Sequence, residues 1–163
     1  METTKNKTTL LIMAAGMGSR FGSLKQLALL GPHKKTLLHY SIYDAVHAGF
    51  DKIVFIIRRS FENEFKEAVG KYAESLVETV YCFQEMDQLP GNLPPIQREK
   101  PWGTAHAIWA AKDHIHEPFI AINADDFYGR DAFVKMHDFV ASNSDERCFS
   151  LAGYRLAATL SEN

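Results

Sequence analysis

Cysteine is nearly absent from this chain. Only Cys82 and Cys148 occur, and they form no metal-like pair, so a reducing, cytoplasmic setting is the expectation. Long apolar runs are missing too. None approaches the roughly 20 residues that a membrane-spanning helix needs. The opening METTKNKTT is polar and has no apolar signal-peptide core, so residues 1–8 are expected to be a flexible tail. Charge of one sign is also lacking. A formal net charge of −2 argues against a surface built to grip nucleic acid or an anionic membrane. There is no internal repeat and no low-complexity segment. What is left is an ordinary globular composition, in a length that suits one domain with its own core.

That domain is expected over residues 9–163, with apolar runs alternating with helical patterns. Strands are predicted at Leu10–Ala14, Lys52–Ile57, Thr79–Gln84, Phe119–Asn123 and Phe149–Tyr154. Helices are predicted at Leu37–Ala48, with Thr36 as cap and Gly49 as stop, and at about Phe61–Tyr72, Thr104–Lys112 and Asp131–Ala141. The connection EMDQLPGNLPPIQREKPW is too long and proline-rich for a routine loop and is expected to be functional or mobile. Alternating strands and helices imply an α/β, Rossmann-like fold: a mostly parallel sheet with helices on both faces. Such sheets bind ligands at the carboxyl ends of their strands. The glycine segment after the first strand, Gln84 at the end of the third, and Asp125 with Asp126 after the fourth would all lie there. No closing element is evident after Leu151, so the chain is expected to be the N-terminal part of a longer catalytic domain.

The glycine segment reads LLIMAAGMGSRFGSLKQL, with Gly16, Gly18 and Gly22 followed or interleaved by Arg20 and Lys25. Glycines let a phosphate approach the backbone closely, and successive N–H groups make an anion-binding concavity. Arg20 adds a forked donor and Lys25 a point charge. A tight strand-to-helix turn with two solvated cations is the plainer alternative. The P-loop pattern is absent. The dinucleotide fingerprint is one residue out of register, and no acidic residue ends the second strand. Arg58 and Arg59 stand there instead and leave an NADP-type site open.

The sequence AAGMGSR, Ala14–Arg20, followed by Lys25, resembles the signature of sugar-1-phosphate nucleotidyltransferases. Leu24 stands where that family has a proline before its lysine, and the spacer is short. KPWGTAHAIWAAK resembles the family's G-T-A-x-A element, and FIAINADDFYG its strand ending in G-D-x-x-[FY]. The resemblance runs from Leu10 to about Tyr154 and implies a GT-A-like fold. It also implies a reaction: a nucleoside triphosphate and a sugar 1-phosphate, or a similar phosphorylated acceptor, give a nucleotide sugar and pyrophosphate. By that resemblance Arg20 and Lys25 are catalytic. Ala14, Ala15, Gly16, Gly18, Ser19, Gln84, Gly103 and Thr104 bind the nucleotide, and Asp125 holds Mg²⁺. The family's second metal carboxylate and most sugar contacts lie in a C-terminal half, so this chain alone is expected to be incomplete for turnover. A homo-oligomer is compatible with all of this. Two rival readings stand beside it: an NADP-binding oxidoreductase domain, and a non-catalytic nucleotide-binding regulatory domain.

Overall fold

The computed structural model describes residues 7–16, 29–30, 35–91, 93, 102–143, 145 and 147–159. Strand β1 (Thr9–Met13) is followed by the two-residue pieces β2 (Leu29–Leu30) and β3 (Lys35–Thr36), which pair antiparallel with one another. Helix α1 (Leu37–Ala48) leads to β4 (Lys52–Ile57). One helical stretch then runs through α2 (Glu62–Phe65), a π turn (Lys66–Gly70) and α3 (Lys71–Glu74) into β5 (Glu78–Phe83). Helix α4 (Thr104–Ala110), β6 (Phe119–Asn123) and α5 (Arg130–Ser142) complete the series.

The punctuation around α1 works as its residues suggest. The Thr36 backbone N–H donates to His39 Nδ1 at 3.2 Å, one half of a capping box. Gly49, at φ 115°, donates to the Ala45 and Val46 carbonyls and ends the helix in a left-handed turn that favours glycine.

The main sheet has the order β5-β4-β1-β6, with every pairing parallel. Successive side chains of a strand face opposite ways, and the core divides accordingly. Leu10, Ile12, Ile53, Phe55 and Ile57 pack with Leu38 and Ile42 of α1, with Phe65, Val69 and Ala73 of the α2–α3 stretch, and with Phe133 of α5. Leu11, Val54, Ile56 and Cys82 face the other way, towards Ala107 and Ala111 at α4. Helices therefore cover both faces, three packing units on one side and α4 on the other.

Two expectations need correction. The Phe149–Tyr154 segment forms no strand. Its FSLAGY pattern has β-forming residues, but a strand needs a partner, and this segment pairs with no described strand. Phe149 is 90% and Leu151 96% exposed. The flexible tail expected over residues 1–8 does not hold at its last residue. Residues 1–6 lie outside the described residues, but Thr8 is fully buried and its carbonyl accepts from Asp51 N at 3.1 Å.

The strand order also places the site. The chain steps outward from β1 to β4 to β5, then returns to the far side of β1 as β6. The direction of winding reverses between β1 and β6, and open α/β sheets bind ligands in the crevice that such a reversal leaves at the strands' carboxyl ends.

Candidate active site

At the carboxyl end of β1 the chain passes through Ala14 and Ala15 to Gly16. Both alanines are 2% exposed. Ala14 N donates to Ile56 O at 2.8 Å on β4, and Ala124 N, just past β6, donates to Met13 O at 3.1 Å. The ends of β4, β1 and β6 are thus stitched at one level, with Gly16 following β1 and Asp125 following its neighbour, the edge strand β6. Gly16 does not have a positive φ, and a Cβ built on it meets no described atom within 4 Å. Gly103 is the same: its φ is −72°, and a Cβ would meet no described atom within 4 Å.

The adjacent aspartates separate cleanly. Asp126 closes the turn: its Oδ2 accepts from Asn123 Nδ2 at 2.8 Å and from Tyr128 OH at 3.3 Å. Tyr128 OH in turn accepts from Asn123 N at 2.9 Å, and burial raises the pKa of that phenol. Asp125 is exposed and makes no hydrogen bond or ion pair with a described residue. One carboxylate is thus used to shape the strand end, and the other is left facing outward.

Gln84 follows β5 and is 8% exposed, more buried than a strand-end glutamine is expected to be. Its Nε2 donates to Trp102 O at 3.0 Å and Gly103 O at 3.3 Å. His106 Nδ1 lies 3.3 Å from the same nitrogen, and His106 Nε2 is 2.6 Å from Gln88 O. A neutral imidazole with its proton on Nε2 satisfies both contacts. Trp102 Nε1 donates to Met86 O at 2.9 Å. Gln84, Trp102 and His106 so bind the segment after β5 to the start of α4, where Gly103 and Thr104 are exposed. Gly18, Ser19, Arg20 and Lys25 lie outside the described residues, as does most of the connection between Glu85 and Trp102.

A family model described as nucleotidyl transferase matches residues 9–157. The chain belongs to the nucleotidyl transferase family. It is 28% identical over 130 residues to the UTP–glucose-1-phosphate uridylyltransferase of Bacillus subtilis, covering 71% of this chain and 43% of that protein. It is 30% identical over 107 residues to the bifunctional protein GlmU of Staphylococcus haemolyticus, covering 66% of this chain and 19% of that protein. The chain therefore spans less than half the length of these curated relatives. Among solved structures it resembles a UDP-glucose pyrophosphorylase complexed with UDP-glucose, at TM-score 0.54 and 19% identity, over 83% of this chain and 54% of that one. It also resembles a protein assigned as a glucose-1-phosphate thymidylyltransferase from Bacillus anthracis, at TM-score 0.60 and 18% identity, over 81% of this chain and 50% of that one. At these identities the two structures speak for the nucleotidyltransferase fold, and they do so for most of this chain.

Within this family member the arginines after β4 are engaged in place. Arg59 lies over the Phe83 ring at 3.9 Å and pairs with Glu85 at 3.4 Å, while Arg58 Nε donates to Ala15 O at 3.1 Å. The NADP-type alternative rested on these two side chains, and both are turned to other work. Sequence reasoning missed the bond from Arg58 to the glycine segment, and it missed the turn built by Asp126 and Tyr128. Neither leaves a signal in spacing alone. Among the described residues no cluster of three or more histidine, cysteine or acidic side chains could hold a metal, and no helix is long and apolar enough to cross a membrane.

Proposed function

We propose that the chain carries the nucleotide-binding part of a sugar-1-phosphate nucleotidyltransferase that works in the cytoplasm. The acceptor's phosphate oxygen attacks the α-phosphorus of a nucleoside triphosphate, the bond from that phosphorus to the bridging oxygen breaks, and pyrophosphate leaves. The observation that carries the reading is the placement of Gly16 and of the exposed Asp125 just past the carboxyl ends of the paired strands β1 and β6.

The protein's part is positioning and charge neutralisation. The backbone from Ala14 through Gly16, continuing to Gly18 and Ser19, receives the phosphates. Arg20 neutralises the leaving pyrophosphate, and Lys25 bridges the α-phosphate and the incoming phosphate as charge builds. Gly103 and Thr104 line the base and ribose. With its nitrogen committed inward, Gln84 has its oxygen left to meet a base edge. Asp125 would hold Mg²⁺. A single exposed carboxylate suits an ion that arrives on the triphosphate, keeps several waters and needs one or two protein oxygens. When bound, the ion supplies charge neutralisation on the phosphates. The relative named as a uridylyltransferase makes UTP and glucose 1-phosphate the first pair to try.

The test is the thermal shift of this chain with UTP, dTTP, GTP, CTP, ATP and NADPH, each with and without Mg²⁺. A ligand at about 100 times its Kd adds roughly 2.7 kcal/mol. We expect one triphosphate to stabilise the chain, and more strongly with Mg²⁺. Stabilisation by NADPH alone, or by no triphosphate, would remove the reading.

A further inference from the structure

His106 has no part in the roles assigned above, yet it touches the side chain given to the base. Gln84 is anchored by its backbone, whose N–H donates to Ile57 O at 3.1 Å. What the anchor leaves open is which end of the side-chain amide turns inward. Nε2 lies 3.0 Å from Trp102 O, 3.3 Å from Gly103 O and 3.3 Å from His106 Nδ1. The two carbonyls can only accept, so the amide nitrogen is the end that faces them. The third neighbour is conditional, because a ring nitrogen accepts only without its proton. The 2.6 Å contact of His106 Nε2 with Gln88 O puts the proton on the far nitrogen and leaves Nδ1 bare. The ring is also crowded: the centroids of Trp102 and Trp109 are 5.9 and 5.5 Å from its own.

We propose that His106, in its neutral form, is a positioning residue that holds Gln84 so that its Oε1 is the end presented to the base of a nucleoside triphosphate. The inference rests on the nucleotidyl-transfer reading and deepens it. Protonated histidine is a donor at both nitrogens. An Nδ1–H would oppose the N–H of Gln84, and a buried donor without an acceptor is costly. Turning the amide over relieves that contact but sets Oε1 against two carbonyl oxygens. Swinging the ring out gives up Gln88 instead. Either way the acceptor for the base loses its fixed place, and ordering done beforehand has to be done on binding. Histidine changes charge between about pH 5 and pH 8, so a single proton separates the two states. Among the described residues, most charged groups on the surrounding elements are engaged elsewhere. Glu85 pairs with Arg59, Lys112 with Asp113, and Lys52, at the far end of β4, with Glu117. Arg58 bonds the Ala15 carbonyl, β1 carries no charge, and Asp87 beside Gln88 is exposed.

Two variants test this. His106→Asn keeps an acceptor near the place of Nδ1 and cannot take a proton. His106→Phe keeps a ring beside the tryptophans and has no acceptor. The five triphosphates are titrated into the unmodified chain with Mg²⁺ at about pH 8, and the tightest is carried to both variants at about pH 8 and about pH 5.5. Titration of the triphosphate itself is common to all three proteins, so the comparison between them isolates His106. We expect the parent to lose roughly tenfold more affinity than His106→Asn as the pH falls, the size of one hydrogen bond. At pH 8, His106→Asn should bind within about threefold of the parent and His106→Phe roughly tenfold more weakly, with ligand-free melting temperatures alike. The inference is overturned by parent and His106→Asn losing affinity in parallel, or by His106→Phe binding like the parent at pH 8. A loss in His106→Phe that comes with a lowered melting temperature and is not recovered in His106→Asn would make the residue a structural tether and also overturn it. Failure of the unmodified chain to bind any triphosphate at pH 8 is a different result, because it removes the nucleotidyl-transfer reading and the inference with it.

Discussion

The two ends of the same parallel sheet treat polar groups in opposite ways. At the amino end, charged side chains pair with one another. Lys52, 8% exposed, donates to His114 O at 2.5 Å and pairs with Glu117 at 3.0 Å. Glu117 also accepts from the Thr9 hydroxyl, and Glu78 draws in Lys7 at 3.2 Å. At the carboxyl end, Asp125 has no described partner, and a Cβ added at Gly16 or Gly103 would meet no described atom within 4 Å. A paired buried charge serves the fold, because removing its partner leaves an uncompensated charge. A charge left open at a strand end contributes little to the fold and stays available to a ligand.

The strongest way to break that contrast is the aspartate pair. Asp125→Ala should leave the melting temperature nearly unchanged, within about 0.5 kcal/mol, as for a surface change. It should also abolish most of the magnesium-dependent part of triphosphate binding, roughly a 100-fold loss. Asp126→Ala should do the reverse. It costs about 1 kcal/mol of stability as its two hydrogen bonds go and spares the magnesium effect. Thermal shift with and without Mg²⁺ reads both. An exchange of the two phenotypes would mean that the carboxylate holding the turn is also the one that meets the metal.

The amino end gives the next largest effect. Burial works against the charged form of Glu117, but hydrogen bonds from Thr9, Lys52 and the His116 amide outweigh it and hold the carboxyl at about 2, from an ordinary 4.5. The folded chain thus releases this proton at lower pH than the unfolded chain. The resulting stability is complete above pH 4.5 and is lost as pH falls towards 2. Glu117→Gln should cost roughly 2–3 kcal/mol at neutral pH, since Lys52 keeps the His114 carbonyl but loses its main counter-charge. It should also flatten the acid limb of the melting curve in that window. A variant whose acid limb runs parallel to the parent's would show that this network is not what holds the amino end.

The sequence made the frame legible where local chemistry decides it. The bounds of α1, β4 and β6 fall where Thr36, Gly49 and the continuous apolar runs put them. It misled where a partner decides: FSLAGY has strand composition but pairs with no described strand. The two-residue pieces Leu29–Leu30 and Lys35–Thr36 are too short to carry a period at all. The motif order agrees with the sheet in one respect: Gly16, Gln84 and Asp125 follow the carboxyl ends of β1, β5 and β6. The motifs could not say which of two neighbouring aspartates is engaged, because that is settled by where the Tyr128 hydroxyl and the Asn123 amide reach. Nor could they tell Arg58 from Arg59, whose difference lies in which strand end each side chain meets.

The smallest expected effect on the fold is the sharpest on the reading of the carboxyl end. A glycine can be kept for its backbone or for the space it leaves. Gly49 is of the first kind, with φ 115°. Gly16 and Gly103 are assigned to the second, with no positive φ and no described atom near an added Cβ. Replacing either by alanine should leave stability unchanged, or raise it by up to about 1 kcal/mol as the unfolded chain loses freedom. The same methyl would stand where a ligand has to approach the backbone, so triphosphate affinity should fall several-fold while the melting temperature of the ligand-free chain holds or rises. Gly49→Ala is the contrasting case: it should lower the melting temperature, because the left-handed turn it closes is strained for any side chain. If Gly16→Ala and Gly103→Ala bind triphosphate as well as the parent, the open space at the carboxyl end is not where the nucleotide sits, and the difference between the two ends of the sheet is one of exposure alone.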